Sequence, residues 1–87
     1  MKRFRVHLNS IESVKLFVNL ATQEVCEIDV TSERYVVDGK SMLGLFSLDL
    51  SKSVGVLYLG EDADAERFYK AVSAVLETEP EEEGEQE

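Results

Sequence analysis

Apolar and polar residues change their period several times along this chain of 87 residues, and each change predicts an element. In RFRVHL, Phe4, Val6 and Leu8 alternate with Arg3, Arg5 and His7, the period of two of a half-buried strand. The following NSIESVKLFVNLATQ sets Ile11, Val14, Phe17, Val18 and Ala21 at helical spacing, which predicts an amphipathic helix of about three turns. Asn9 or Ser10 can cap it, and Glu12, three residues after Asn9, fits a capping box. Alternation returns at Cys26, Ile28 and Val30, interleaved with Glu27 and Asp29, for a second strand. TSE makes a turn, and RYVV a third strand closed by Asp38-Gly39. A short helix starts at Ser41, with Met42, Leu45, Phe46 and Asp49 along one side and Leu43 and Leu48 elsewhere. SVGVLYL is a fourth strand. EDADAERFYKAVSAVLE is a second long helix with Ala65, Phe68, Val72, Val75 and Leu76 as its inward stripe. Asp62 and Asp64 sit near its N-terminus, where the helix dipole favours negative charge.

This order, βαββαβα, predicts an α+β open-faced sandwich, a four-stranded antiparallel sheet with two long helices and one short helix on one face. His7 then lies beside Arg3 and Arg5 on the open face, as an ordinary exposed strand histidine. No second histidine or cysteine cluster offers a metal site. Cys26 falls on the apolar phase and is expected to be a small buried hydrophobe; as the one cysteine it cannot form an internal disulfide. No apolar run reaches the roughly 18 residues of a membrane span, and the N-terminus lacks the pattern of a signal peptide. Cytoplasm is the expected compartment. The net charge of −9 is unevenly spread, because residues 77–87 hold seven of the eighteen acidic residues and no basic one. The expectation is a folded domain over residues 1–77 and an acidic disordered tail over 78–87. That tail would serve as a solubilising end, with mimicry of nucleic acid, docking on a basic partner, or docking on the chain's own Lys2, Arg3 and Arg5 as the alternatives. The body has no concentrated basic patch of the kind that nucleic acid requires.

Candidate chemistry is sparse. Asp38-Gly39-Lys40-Ser41 ends like a phosphate-binding loop but lacks the upstream glycine, and no Ser-His-Asp set is legible, so neither an enzyme nor a cofactor is expected. Ser41 is placed to cap the short helix, a role worth about 1 kcal/mol. The segment Lys40-Ser41-Met42-Leu43-Gly44-Leu45-Phe46-Ser47-Leu48 resembles the regulatory serine and short helix of the HPr family, the histidine-containing phosphocarriers of bacterial sugar phosphotransferase systems. Phe17-Val18 with Ala21 is similar to that family's first helix. The spacing between the two matches agrees without a gap, so the resemblance covers roughly residues 3–77. It implies that Ser41 is a site of regulatory phosphorylation by an HPr kinase/phosphorylase. It further implies that the phosphoserine form binds a catabolite-control transcription regulator. Lys40, Met42, Leu43 and Phe46 would form the docking surface as a partly exposed apolar patch, although Met and Phe at helical spacing are more often core and some of these side chains must face inward. Phosphate at such a cap would meet the positive end of the helix and add about −2 charge beside an apolar patch.

The resemblance fails at the residue that names the family. Its phosphorylatable histidine lies in a Gly-(Ile/Leu)-His-x-Arg-Pro pattern, whereas this chain reads Asn9-Ser10-Ile11-Glu12-Ser13. Placed without gaps, Ser10 occupies the position of the histidine, Glu12 that of the arginine and Ser13 that of the proline. An imidazole takes phosphoryl as a high-energy phosphoramidate and passes it on; a serine phosphate is a stable ester. A carboxylate in place of guanidinium repels phosphoryl charge instead of stabilising it. The expectation is therefore a monomeric regulatory or adaptor module, like the family's catabolite-repression paralogue, which also lacks the histidine and keeps the serine. The alternatives are a working phosphocarrier of the sugar phosphotransferase system and an HPr-like interaction domain with an unrelated partner.

Overall fold

A computed structural model of the chain describes residues 1–81. Its elements follow in the order β1 (Arg3–Val6), α1 (Ile11–Ala21), β2 (Glu27–Thr31), β3 (Val36–Asp38), α2 (Met42–Phe46), β4 (Val54–Leu59), α3 (Asp62–Val75) and β5 (Thr78–Pro80). The strands form one antiparallel sheet ordered β3-β2-β4-β1-β5. Strand β4 runs between β1 and β2, with Phe4 opposite Val56 and Val30 opposite the same residue on the other side.

The alternation read from sequence decides which face is covered. Phe4, Val6, Ile28, Val30, Val54, Val56 and Tyr58 all turn to one side and are buried there. Against them pack Val14, Phe17 and Ala21 from α1, Leu45 from α2, and Ala65, Phe68 and Val72 from α3. Phe68 is central: its ring lies 6.3 Å from Phe4, 6.0 Å from Phe17 and 5.5 Å from Tyr58, centroid to centroid, so it ties both long helices to the sheet. At the end of β3 the Gly39 amide donates to the Ile28 carbonyl at 2.7 Å. A Cβ on Gly39 would stand 2.9 Å from that same oxygen, so only glycine allows this approach.

Three sequence expectations need correction. Among the described residues the sheet has five strands, not four, because Thr78, Glu79 and Pro80 pair with Val6, Arg5 and Phe4 along the outer edge of β1. The folded body thus continues to Pro80, beyond the expected boundary at residue 77; of the expected disordered tail, residues 82–87 lie outside the described residues. On α3, Val75 is not part of the inward stripe but 51% exposed, and Leu76 has left the helix. Its extended backbone (φ −133°, ψ 158°) starts the turn into β5 while its side chain packs at the core margin. Cys26 is half-buried at the core margin rather than enclosed. Among the described residues no helix is long and apolar enough to cross a membrane.

Candidate functional site: two serine caps and the face of α2

Ser41 lies between the end of β3 and α2, and its surroundings are built by Asp38. The Asp38 carboxylate accepts from the Lys40 amide at 2.9 Å and its carbonyl from the Ser41 amide at 3.0 Å. That turn leaves Ser41 extended (φ −107°, ψ 111°), with Oγ accepting from the Gly44 amide at 3.0 Å, the expected N-cap. Gly44 lets α2 lie close to β3, since a Cβ there would be 3.2 Å from Val37 Cβ and 3.3 Å from Ser41 Oγ. The helix turns Leu45 inward with no exposure, and Leu48 just beyond it is buried. Met42, Leu43 and Phe46 all face solvent, Leu43 by 83%. These three exposures give α2 an apolar outer side, where the sequence left some of the three to the core. Lys40 does not join it freely, because its ammonium donates to the Glu24 carbonyl at 2.6 Å.

The other serine closes α1. Ser10 is the N-cap (φ −151°, ψ 161°), and its Oγ accepts from the Ser13 amide at 3.0 Å. Ser13 Oγ returns the bond by accepting from the Ser10 amide at 3.0 Å, and donates to the Ser10 carbonyl at 2.8 Å. The expected box of Asn9 with Glu12 is thus replaced by Ser10 with Ser13. With Ser10 as cap, Ser13 occupies the third helical position, and its short side chain reaches back where Glu12, one residue earlier, does not. Glu12 remains exposed in the first turn. Strands β1 and β3 run in opposite directions, so Ser10 and Ser41 leave opposite ends of the sheet and are not brought together.

His7 follows the last residue of β1. Its amide donates to the Glu77 carbonyl at 3.0 Å, and its Nε2 lies 3.1 Å from a Glu79 carboxylate oxygen. The chain's one histidine thus faces a carboxylate rather than a cation, with its backbone fixed to the segment that leads into β5.

Sequence reasoning missed Glu24. It lies buried in the α1–β2 loop, where Oε1 accepts from the Tyr58 hydroxyl at 2.6 Å. The Arg67 guanidinium grips both carboxylate oxygens, each at 3.0 Å. That pairing, more than burial or the Tyr58 bond, decides the charge state and holds the Glu24 carboxyl below the ordinary 4.5. Burial, then the bond to Glu24, pushes the Tyr58 hydroxyl far above its usual value, so it stays protonated. Arg67 is raised in turn, chiefly by its bonds to Glu24. Since Lys40 binds the carbonyl of the same Glu24, one loop anchors the residue next to Ser41, β4 and α3 together. No short-range pattern in the sequence signals this, because the partners lie up to 43 residues apart.

A family sequence model described as the PTS HPr component phosphorylation site matches residues 12–78, a span that includes Ser41 and all of α2 and starts after Ser10. Among solved structures, HPr-C-His from Thermoanaerobacter tengcongensis superimposes with a TM-score of 0.73 at 26% identity, covering 88% of this chain and 92% of that one. The phosphocarrier protein HPr from Bacillus anthracis str. Ames gives a TM-score of 0.65 at 25% identity, with 87% of this chain and 94% of that one covered. No curated protein matches the sequence significantly. With the family match spanning most of the folded body, and an antiparallel sheet backed by helices that superimposes on two HPr structures, this chain belongs to the HPr family of the phosphotransferase system.

Proposed function

We propose that this HPr-family chain acts as a monomeric regulatory or adaptor module that docks through the exposed face of α2 and does not relay phosphoryl groups on histidine. The observation that carries the reading is the placement of His7, past the end of β1 and against Glu79, while the first turn of α1 holds Ser10, Glu12 and Ser13. The first turn of α1 itself carries no histidine, and Glu12 in it would oppose phosphoryl charge. Ser41 is the proposed phosphoacceptor. A phosphate on its Oγ would inherit the Gly44 amide as donor and place about −2 charge beside Met42, Leu43 and Phe46. Charged and apolar groups side by side are what a partner reading the modified form needs. The proposed partners are an HPr kinase/phosphorylase and a catabolite-control transcription regulator.

Incubation with HPr kinase and ATP tests this directly. Mass spectrometry is expected to show one added phosphate on the natural chain and none on Ser41→Ala. An unmodified natural chain, alongside an HPr control that is fully modified, sinks the proposal. The family match and the Bacillus anthracis phosphocarrier neighbour favour a second reading, a working carrier of the sugar phosphotransferase chain. Acid-labile, base-stable label on His7, after incubation with phosphoenolpyruvate and the first enzyme of that chain, would establish it instead.

A further inference from the structure

Where the β2–β3 turn meets the loop joining α2 to β4, the surface folds into a hollow of about 700 Å³, separate from the face of α2. That volume falls within the range of small-molecule sites. Three cations line it: Arg5 from the open face of β1, Arg34 from the turn and Lys52 from the loop. Arg5 is fixed in advance, its Nε donating to Ser53 Oγ and its Nη2 to the Ser53 carbonyl, both at 2.8 Å. Its remaining nitrogen, Nη1, lies over Gly55, 3.7 Å from where a Cβ would be. Arg34 has no ion pair among the described residues.

The two carboxylates of the hollow are already engaged. Glu33 pairs with Lys52 at 3.4 Å, and Asp49 accepts from the amide and hydroxyl of Ser51 at 3.1 and 2.7 Å. Three cations against two carboxylates leave a positive lining in a chain that is acidic as a whole. Tyr35 stands at the rim, 61% exposed. Guanidinium forks match tetrahedral oxyanions, and an aromatic ring offers a face to an organic group.

We propose that this hollow binds a small phosphate monoester, its oxygens held by Arg5 and Arg34 and its organic part laid against Tyr35. The site goes beyond the reading of α2 as a docking face and does not depend on Ser41.

Titration of the full chain with phenyl phosphate, inorganic phosphate and benzoate at constant ionic strength, followed by amide NMR shifts, tests the assignment. Phenyl phosphate is expected to shift the amides of residues 32–35 and 52–53 saturably, inorganic phosphate the same amides more weakly, and benzoate at least about tenfold more weakly. Arg34→Gln, on an exposed turn, should weaken phenyl phosphate about tenfold, whereas Glu33→Gln should tighten it by releasing Lys52 and removing repulsion. Non-saturating shifts, equal binding of benzoate, or an unchanged midpoint in Arg34→Gln overturns the proposal.

Discussion

Ser10 and Ser41 share a backbone conformation and a task, yet their hydroxyls stand in different company. Ser10 is locked in a reciprocal box with the buried Ser13. Ser41 Oγ accepts one amide and borders the exposed side chains of α2. Replacing Ser41 by Ala is expected to lower stability by about 1 kcal/mol in urea denaturation, the usual loss of a cap, apart from its effect on phosphorylation. The neighbouring apolar residues should separate sharply by the same measurement. Leu45→Ala empties a core position and should cost about 3 kcal/mol, whereas Leu43→Ala should stay within about 0.5 kcal/mol. Comparable losses at both positions would mean that α2 is rotated relative to this description. The cap was legible in the sequence because serine before an apolar run has a local mechanism. The inward residue was not, since α2 is five residues long and four of them are apolar, so periodicity has nothing to distinguish.

Among the elements, β5 is the departure from the expected outline. Its carboxylate and proline read as solvated tail, and neither period nor β-propensity marks Thr78–Pro80 as a strand. What creates it is the outer edge of β1, whose unpaired amides and carbonyls accept any extended segment delivered there. The chain delivers one because α3 ends at Val75 and Leu76 turns extended. Pro80 lacks an amide hydrogen and sits at the strand's end, where such a residue is tolerated. The consequence is specific. The His7 amide already bonds the Glu77 carbonyl, so the amides of Arg5 and His7 point to β5 while those of Phe4 and Val6 point to β4. A chain ending at Glu77 should therefore show faster hydrogen exchange at Arg5, with Phe4 and Val6 still protected, and one ending at Glu81 should exchange like the full chain. Equal protection of Arg5 in both truncations would remove β5 from the fold. The His7–Glu79 pair itself is partly exposed and adds at most about 1 kcal/mol.

For the molecule as a whole, Glu24 is the group through which separate elements share one electrostatic fate. Its folded-state pKa lies below 4.5, so between the two values the unfolded chain binds more protons and stability rises with pH. The contribution is complete above 4.5 and is lost as pH falls through the folded value. Glu24→Gln keeps an acceptor for Tyr58 but loses the ionic grip of Arg67, whose side chain is largely exposed. The natural chain should therefore exceed the variant by only about 1 kcal/mol at neutral pH. That difference should shrink toward zero on acidification below pH 4.5, while Asp49 and Glu66, also held low, act equally in both chains and cancel. A difference independent of pH would show that Glu24 contributes packing rather than charge.

The sequence by itself determined the covered face of the sheet, both long helices, and the identity of the serine that starts the short one. Each rests on local rules: a period of two or 3.6, or a hydroxyl one turn before a free amide. Only the tertiary structure decided the fifth strand, the outward turn of Met42, Leu43 and Phe46 together, the burial of Glu24 beneath Arg67, and the cationic hollow beside the β2–β3 turn. Those features join residues distant in the chain. Their partners are chosen by which edges and surfaces remain unfilled once the core has closed, and no local pattern carries that information.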